Sequence, residues 1–437
     1  MYIPRVGSDR VLPFTEFEEA IFHLEERTGP WNIQMEVGAE GRLDEDRLRE
    51  AIRQACARHA LSRARMRYWA GGHRAYEWFV PDALDLDPLT VAEYSDAQQL
   101  SELRSQLYSP AIPLDISPPI RVQVARGPDR DLVMFAVSHV VSDGVGCVRF
   151  VQSVTHAYRG EADPEDPLDL ASARDVNRSL RAHGMLEVAG RALEGARRVR
   201  EALDSPARIA TDGRSTGEGF GFVARTLADQ QTKELLARRP EGATLNDVMV
   251  AALHLTIARW NEQHGVSTNR IAVMMPINMR PPEWLFEVVG NFASFASIST
   301  HSGQREDLLT AVRVVREQTA PVYRAQRAGG LIDLVKLGRV MPLGVKRQVS
   351  WLLPLTGYRF ADTVVLSNLG RLRIPPQFTE DWAPEVWFSP PCAMPLGVGV
   401  GVVTCGGSLH LVVRYRHEQF DQAAAERFTE LYRSQLG

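Results

Sequence analysis

The chain runs to 437 residues with 50 basic and 54 acidic side chains, a formal net charge of −4 and 44% apolar residues. That balance excludes a disordered chain, a collagen-like repeat and a polybasic nucleic-acid binder. At ~100–200 residues per domain the length fits two or three folding units, or one two-lobed unit.

Cys56, Cys147, Cys392 and Cys405 are widely spread with no C-x-x-C, which points to neither a disulfide framework nor a zinc site. The first residues lack the apolar core of a signal peptide. The longest nearly apolar stretches, 132–141 and 395–405, are too short to cross ~30 Å of hydrocarbon, so a cytoplasmic protein without a membrane span is expected. Of the basic residues only Lys233, Lys336 and Lys346 are lysine, a skew that reads as the codon usage of a G+C-rich bacterial genome.

Residues 43–59 carry Leu48, Ile52, Ala55 and His59 at helical spacing. Short strands are predicted at 64–69 and 75–79 around Gly71-Gly72, and a helix at 96–108 ending before Pro110. Residues 120–125 alternate as a half-buried strand, whereas 132–139 form an unbroken apolar run, the pattern of a strand buried on both faces. After Ser142-Asp143-Gly144 the period changes to helical, with Val145, Val148, Val151, Val154 and Tyr158 on one face.

Residues 160–219 differ in character, with Pro164 and Pro167 in an acidic turn followed by an arginine-rich stretch from Arg174 to Arg208. They read as a linker or helical crossover whose arginines form a solvated face; a docking surface for an acidic carrier protein is the second reading. In the second half Thr244-Leu-Asn-Asp247 predicts a capping box. Strands are predicted at 271–275, ending at Pro276, and at 292–298, 363–366, 398–404 and 409–415, with a closing helix at 421–435. Mixed strands and helices in both halves give an α/β (α+β) architecture with two lobes. The expected division is an N-terminal lobe at 1–165, a crossover at 166–218 and a C-terminal lobe at 219–437.

The sharpest chemical signal is Ser138-His139-Val-Val-Ser-Asp143-Gly144, where a buried strand opens into a helix. Histidine moves protons near neutral pH, and a strand end holds its backbone still at a cavity edge. Ser138 and His139 point to opposite faces of a regular strand, so only one can face a reacting centre. Asp143 can orient this region through an ion pair or cap the helix that Gly144 begins. A core histidine beside a helix-capping aspartate is the plain alternative.

Elsewhere the chemistry is thinner. Gly397, Gly399 and Gly401 alternate in an apolar strand, which points to close backbone approach rather than a nucleotide loop. No G-x-S-x-G elbow occurs, and His410 and His417 lack partnering ligands, so neither a serine hydrolase nor a metal site is expected. The apolar-basic stretch 331–358, with Lys336, Arg339, Lys346 and Arg347, reads as a packed helical layer, or else as a surface for a lipid or acyl chain.

The order of segments resembles the CoA-dependent acyltransferase superfamily of chloramphenicol acetyltransferase, peptide-synthetase condensation domains and polyketide-associated acyltransferases. The residues that carry the resemblance run through the whole chain. Gly41-Arg-Leu-Asp44, Leu48-Arg49-Glu-Ala-Ile52 and Arg58-His59-Ala-Leu61 are similar to its first helix. Pro113-Leu-Asp115 through Pro119-Ile-Arg121 precede the Ser138–Gly144 motif. Thr244-Leu-Asn246-Asp247, Pro276 through Arg280-Pro281, Val289-Gly290-Asn291-Phe292, Ser367-Asn368-Leu-Gly370 and the final helix complete the order.

This resemblance implies two lobes, each a mixed sheet with flanking helices, around an interface tunnel with His139 as general base. It implies an acyl-CoA or phosphopantetheine-linked acyl thioester as co-substrate, no permanently bound cofactor and no metal. The partners implied are a small-molecule acceptor with a hydroxyl or amine and an acyl or peptidyl carrier protein. A monomer without nucleic-acid contacts is expected.

Asp143 would be structural and paired with an arginine, for which Arg280 is the candidate. Gly144 would permit the turn and leave room for a pantetheine arm. Asn368 would contact an oxyanion or substrate, or else make only a local backbone bond. Ser138, Ser367, Arg280 and Asn291 are further substrate or oxyanion candidates. The family motif usually has two histidines, and here Ser138 replaces the first; Ala293-Ser294 follow Phe292 where condensation domains continue with Val-Asn. Both departures resemble ester-forming branches, so O-acylation in secondary-metabolite or lipid biosynthesis is expected. The alternatives are a freestanding amide-forming condensation enzyme and a catalytically degenerate scaffold.

Overall fold

The computed structural model describes residues 10–68, 76–163, 174, 204–213, 217–280, 288–325, 361–379 and 383–436. The strands of the first half are β1 (Arg10–Pro13), β2 (Asn32–Glu40), β3 (Arg65–Tyr68), β4 (Tyr76–Val80), β5 (Leu89–Glu93), β6 (Ile120–Arg126) and β7 (Arg130–Ser138). Those of the second are β8 (Phe220–Leu227), β9 (Ile271–Asn278), β10 (Ala293–Thr300), β11 (Val364–Arg371), β12 (Val386–Ser389), β13 (Val398–Cys405) and β14 (Ser408–Arg416). The helices are α1 (Glu16–Thr28), α2 (Glu45–Arg58), α3 (Ala97–Tyr108), α4 (Gly144–Arg159), α5 (Asp229–Ala237), α6 (Leu245–Gln263), α7 (Leu308–Ala325) and α8 (Gln422–Leu436).

Two mixed sheets organise the molecule. One has the order β12-β2-β7-β6-β5 and the other β10-β9-β11-β13-β14-β8, with a small β1-β4-β3 sheet at the side. The apolar run of β7 explains the layering. Val133, Phe135 and Val137 enter a core with α2 and α4, while Met134 and Ala136 face a second cluster shared with Phe222, Val365 and Val412 of the other sheet. A third core packs α6 and α8 on the six-stranded sheet. Each sheet therefore has its own helical layer, and the lobes meet through an apolar seam.

Local chemistry sets the helix ends. Asp44 caps α2 by accepting from the Arg47 N–H at 2.8 Å, and Asp96 caps α3 at 2.9 Å. Thr244 and Asp247 close the predicted capping box, with bonds of 3.1 and 2.7 Å. All four cysteines are free and buried. Among the described residues no helix is long and apolar enough to cross a membrane.

Three expectations need correction. Strand β9 does not stop at Pro276 but runs on to Asn278. Its pairing with β11 has already ended at Met274, so on that side no ladder remains for the missing N–H to break. Strand β11 likewise continues beyond 366 to Arg371, placing Asn368 on a strand. Gly397 lies before β13 with φ +68 rather than in the strand. The stretch 331–358, with Lys336 and Lys346, and most of the 166–218 crossover lie outside the described residues. Within that crossover, Arg174 forms a buried ion pair with Glu18 of α1.

The first sheet is not built from the first half alone. Its edge strand β12 comes from the C-terminal half and pairs antiparallel with β2, Phe388 opposite Met35. Close approach of β12 to β13 requires Gly401, because a Cβ there would collide with the Phe388 carbonyl oxygen. Gly401→Ala should therefore lower stability by about 2–3 kcal/mol, read from the urea midpoint. Gly303→Ala, with open space around it, should change it by less than about 0.5 kcal/mol.

Candidate active site

Strands β2 and β7 end together with Asn32 opposite Ser138. Ser138 thus shares the seam side with Ala136, is buried, and accepts from the Val140 N–H at 3.3 Å. His139 is the first residue past the ladder. Its N–H donates to the Trp31 carbonyl at 2.9 Å, which extends the strand register by one bond. The ring is half-buried, with the Trp31 indole 6.0 Å away between centroids. Burial pushes the imidazole below its ordinary 6.5, opposed by the negative charge of Asp143 and by the carbonyls of His139 and Ser142.

Asp143 is the N-cap of α4. One carboxylate oxygen accepts from the Gly146 N–H at 2.9 Å; the other accepts from Arg280 Nη1 at 2.6 Å and the Phe292 N–H at 2.7 Å. Both charged groups are nearly sealed, Asp143 being 3% and Arg280 4% exposed. Arg280 also donates to the carbonyls of Gly290 at 2.8 Å and Val288 at 3.2 Å, and Phe292 lies against its guanidinium. The Asn291 amide donates to the His139 carbonyl at 2.7 Å and lies 3.3 Å from ring Nδ1. A segment of the second half is thereby fastened onto the His139–Asp143 turn. Gly146 makes this approach close, since a Cβ there would stand 3.0 Å from the Gly290 backbone.

Beside this turn β9 and β11 separate. They pair in parallel only at Val273–Val364 and Met274–Val365. The gap beyond is a cleft of about 170 Å³, walled by Asp143, Gly144, Val145 and Val148 from α4, Pro276 to Asn278 from β9 and Ser367 to Leu369 from β11. His139 is not one of its walls. Asn368 lines the cleft while its side-chain oxygen accepts from the Gly370 N–H at 2.8 Å, so the local backbone bond is present.

The structure thus brings together His139, Asp143, Gly144, Arg280 and Asn291. It sets Ser367 and Asn368 in the cleft with Asp143 and Gly144, and it turns Ser138 toward the seam. Trp31 is the residue that sequence reasoning missed. Its signal is the aromatic immediately before an alternating run, Ile33, Met35, Val37, on the strand that pairs with the His139 strand.

Asp143→Asn keeps a capping oxygen but leaves Arg280 as a buried cation without its anion. Stability should fall by about 3–5 kcal/mol in urea unfolding. Adding Arg280→Met to Asp143→Asn should recover a measurable part of that loss.

The Condensation domain family matches this chain over residues 20–172. An uncharacterized protein of Mycobacterium tuberculosis is 37% identical over 411 residues, covering 93% of this chain and 94% of that protein. One of the plipastatin synthase polypeptides of Bacillus subtilis is 24% identical over 326 residues, which is 73% of this chain and 12% of the synthase polypeptide. The first condensation domain of the CDA synthetase superposes with a TM-score of 0.71 at 16% identity, over 98% of this chain and 95% of that one. A mutant starter condensation domain of rhizomide synthetase, solved with C8-CoA, gives 0.68 at 13% identity over 98% and 94%. With its two lobes in the chloramphenicol-acetyltransferase-like arrangement, the chain belongs to the condensation-domain family of the CoA-dependent acyltransferase fold.

Proposed function

We propose that the protein transfers an acyl group from a pantetheine thioester, on CoA or on a carrier protein, to a hydroxyl, with His139 as general base. The observation that carries this reading is the imidazole at the junction of the lobes. It is half-buried, anchored through its backbone to Trp31 and Asn291, and depressed in pKa, hence neutral and able to accept a proton at pH 7. In the reaction His139 removes the hydroxyl proton as the oxygen attacks the thioester carbonyl carbon. The tetrahedral oxyanion collapses, the C–S bond breaks, and the imidazolium returns its proton to the leaving thiolate. Asp143 favours the imidazolium electrostatically while holding the turn. The Asn368 amide, in the adjoining cleft, is the candidate oxyanion or substrate donor, and Gly144 leaves space along the same wall for the pantetheine arm.

Ser138 in place of the first motif histidine does not conflict with this role, because it faces the seam. Together with Ala293-Ser294 it supports the ester-forming reading. Amide formation between carrier-bound substrates is the second reading, supported by the similarity to plipastatin synthase. Acyl-CoA and acyl-loaded carrier protein tested against hydroxyl and amine acceptors separate the two: product only with amines overturns the ester reading.

His139→Ala should reduce turnover by about 10²–10⁴-fold with the unfolding midpoint kept, and full activity in that variant would refute the base assignment. The pH dependence has a definite sign. A base whose folded pKa lies below 6.5 is neutral through pH 7, so kcat/KM should be flat there and fall on the acid side below pH 6.5.

A further inference from the structure

Trp31 stands in the register position directly opposite His139, one step beyond the Asn32–Ser138 pair, and the His139 N–H to Trp31 carbonyl bond of 2.9 Å ties the two. Their rings lie 6.0 Å apart with planes inclined at 46°, within the ~4.5–7 Å range of aromatic contact. The indole is itself held. Its Nε1–H donates to the Thr28 hydroxyl at 2.9 Å, and that hydroxyl donates to the Leu24 carbonyl at 2.9 Å in the last turn of α1. The Trp31 N–H donates to Glu25 at 3.3 Å. Gly29, with φ 95, ends α1 and turns the chain so that these bonds form. The polar groups that act on the imidazole include the Asn291 amide, the Asp143 carboxylate and the carbonyls of His139 and Ser142. Trp31 supplies an aromatic flank beside these polar groups.

We infer that Trp31 is a positioning residue: it fixes the His139 imidazole and keeps water from one side of it, held in place by Thr28 and Glu25. The inference rests on His139 as the base. An indole wall restricts the ring to the orientation from which it takes the acceptor proton. It also maintains the dry surroundings that keep the ring neutral, because solvent at that side would stabilise the imidazolium.

The test uses the whole chain. Burial pushes the Glu25 carboxyl up to about 7, close to the range of interest, so all variants carry Glu25→Gln, which keeps an acceptor for the Trp31 N–H and removes that titration. Two readouts are taken against pH: kcat/KM, and tryptophan emission without substrate, since a protonated imidazole quenches an adjacent indole. In the Glu25→Gln protein an acid-side loss of emission beyond that of the Trp260–His264 and Trp387–His410 pairs should follow His139 protonation, and this component should be absent from both Trp31→Phe and His139→Ala.

Trp31→Ala should lower kcat/KM about tenfold, mainly through kcat, and move the acid limb up toward pH 6.5. Trp31→Phe should restore most of the rate and the position of the limb. Thr28→Val, which frees the indole without removing it, should shift the emission titration in the same upward direction and serves if Trp31→Ala does not fold. An acid limb left unmoved by Trp31→Ala, or an emission titration insensitive to His139→Ala, overturns the inference. The emission arm needs no acyl transfer, so inactivity toward every thioester would count against the proposed reaction while the emission result still decides the contact.

Discussion

A carboxylate and a guanidinium, both withdrawn from water, hold the centre of this molecule together. Asp143 and Arg280 could not be buried as bare charges, because the lost hydration would exceed their mutual attraction. They are stable here because their remaining valences are filled. The helix amide of Gly146 and the amide of Phe292 take the carboxylate, and the carbonyls of Val288 and Gly290 take the guanidinium. Everything near the candidate base follows from that satisfaction. The first turn of α4 starts where Asp143 caps it, residues 288–292 are drawn across from the second half, and Asn291 arrives at the His139 carbonyl.

The seam below repeats the theme with less charge. Arg414 is fully buried; its guanidinium donates to the Asn32 carbonyl at 2.6 Å and stacks 3.8 Å over Phe220. Burial lowers it only to about 10, so it remains a cation at neutral pH. Ser389 of β12 donates to Gln34 of β2, whose amide donates on to Glu36 at 2.6 Å, where Arg104 completes the chain at 2.6 Å. The apolar cluster between the sheets supplies cohesion, and these directional bonds fix which residues meet. Such geometry matters for a general base, whose rate depends on sub-ångström placement.

Much of this was legible in the sequence where the signal was periodic or chemical. The doubly buried β7, the capping box at Thr244 and the His139–Asp143 turn each follow from a pattern a few residues long. The segments that escaped have weaker local signals. Helix α1 begins with Phe17 and Glu18 buried together, which blurs its apolar face, because Glu18 is neutralised by Arg174 from 156 residues away. β12 has four residues, too few for a period, and is a strand because β2 offers it an edge. Pro276 looked like a strand end because the splaying of β9 from β11 is a tertiary event. The opposition of Trp31 and His139 is a matter of register between strands about a hundred residues apart, which no local window contains.

The edge strand β12 has a consequence for how the protein is made. The five-stranded sheet of the N-terminal lobe takes its last strand from residues 386–389, synthesised long after the other four. Until those residues emerge from the ribosome, β2 presents an open edge along Gln34 to Val37, although the rest of its sheet is already available. The nascent chain therefore carries an unpaired strand edge while most of the second lobe is being made, and the N-terminal lobe released alone would expose it permanently. The division into lobes visible in the finished structure is not a division into separately maturing parts. A single late segment of four residues commits both.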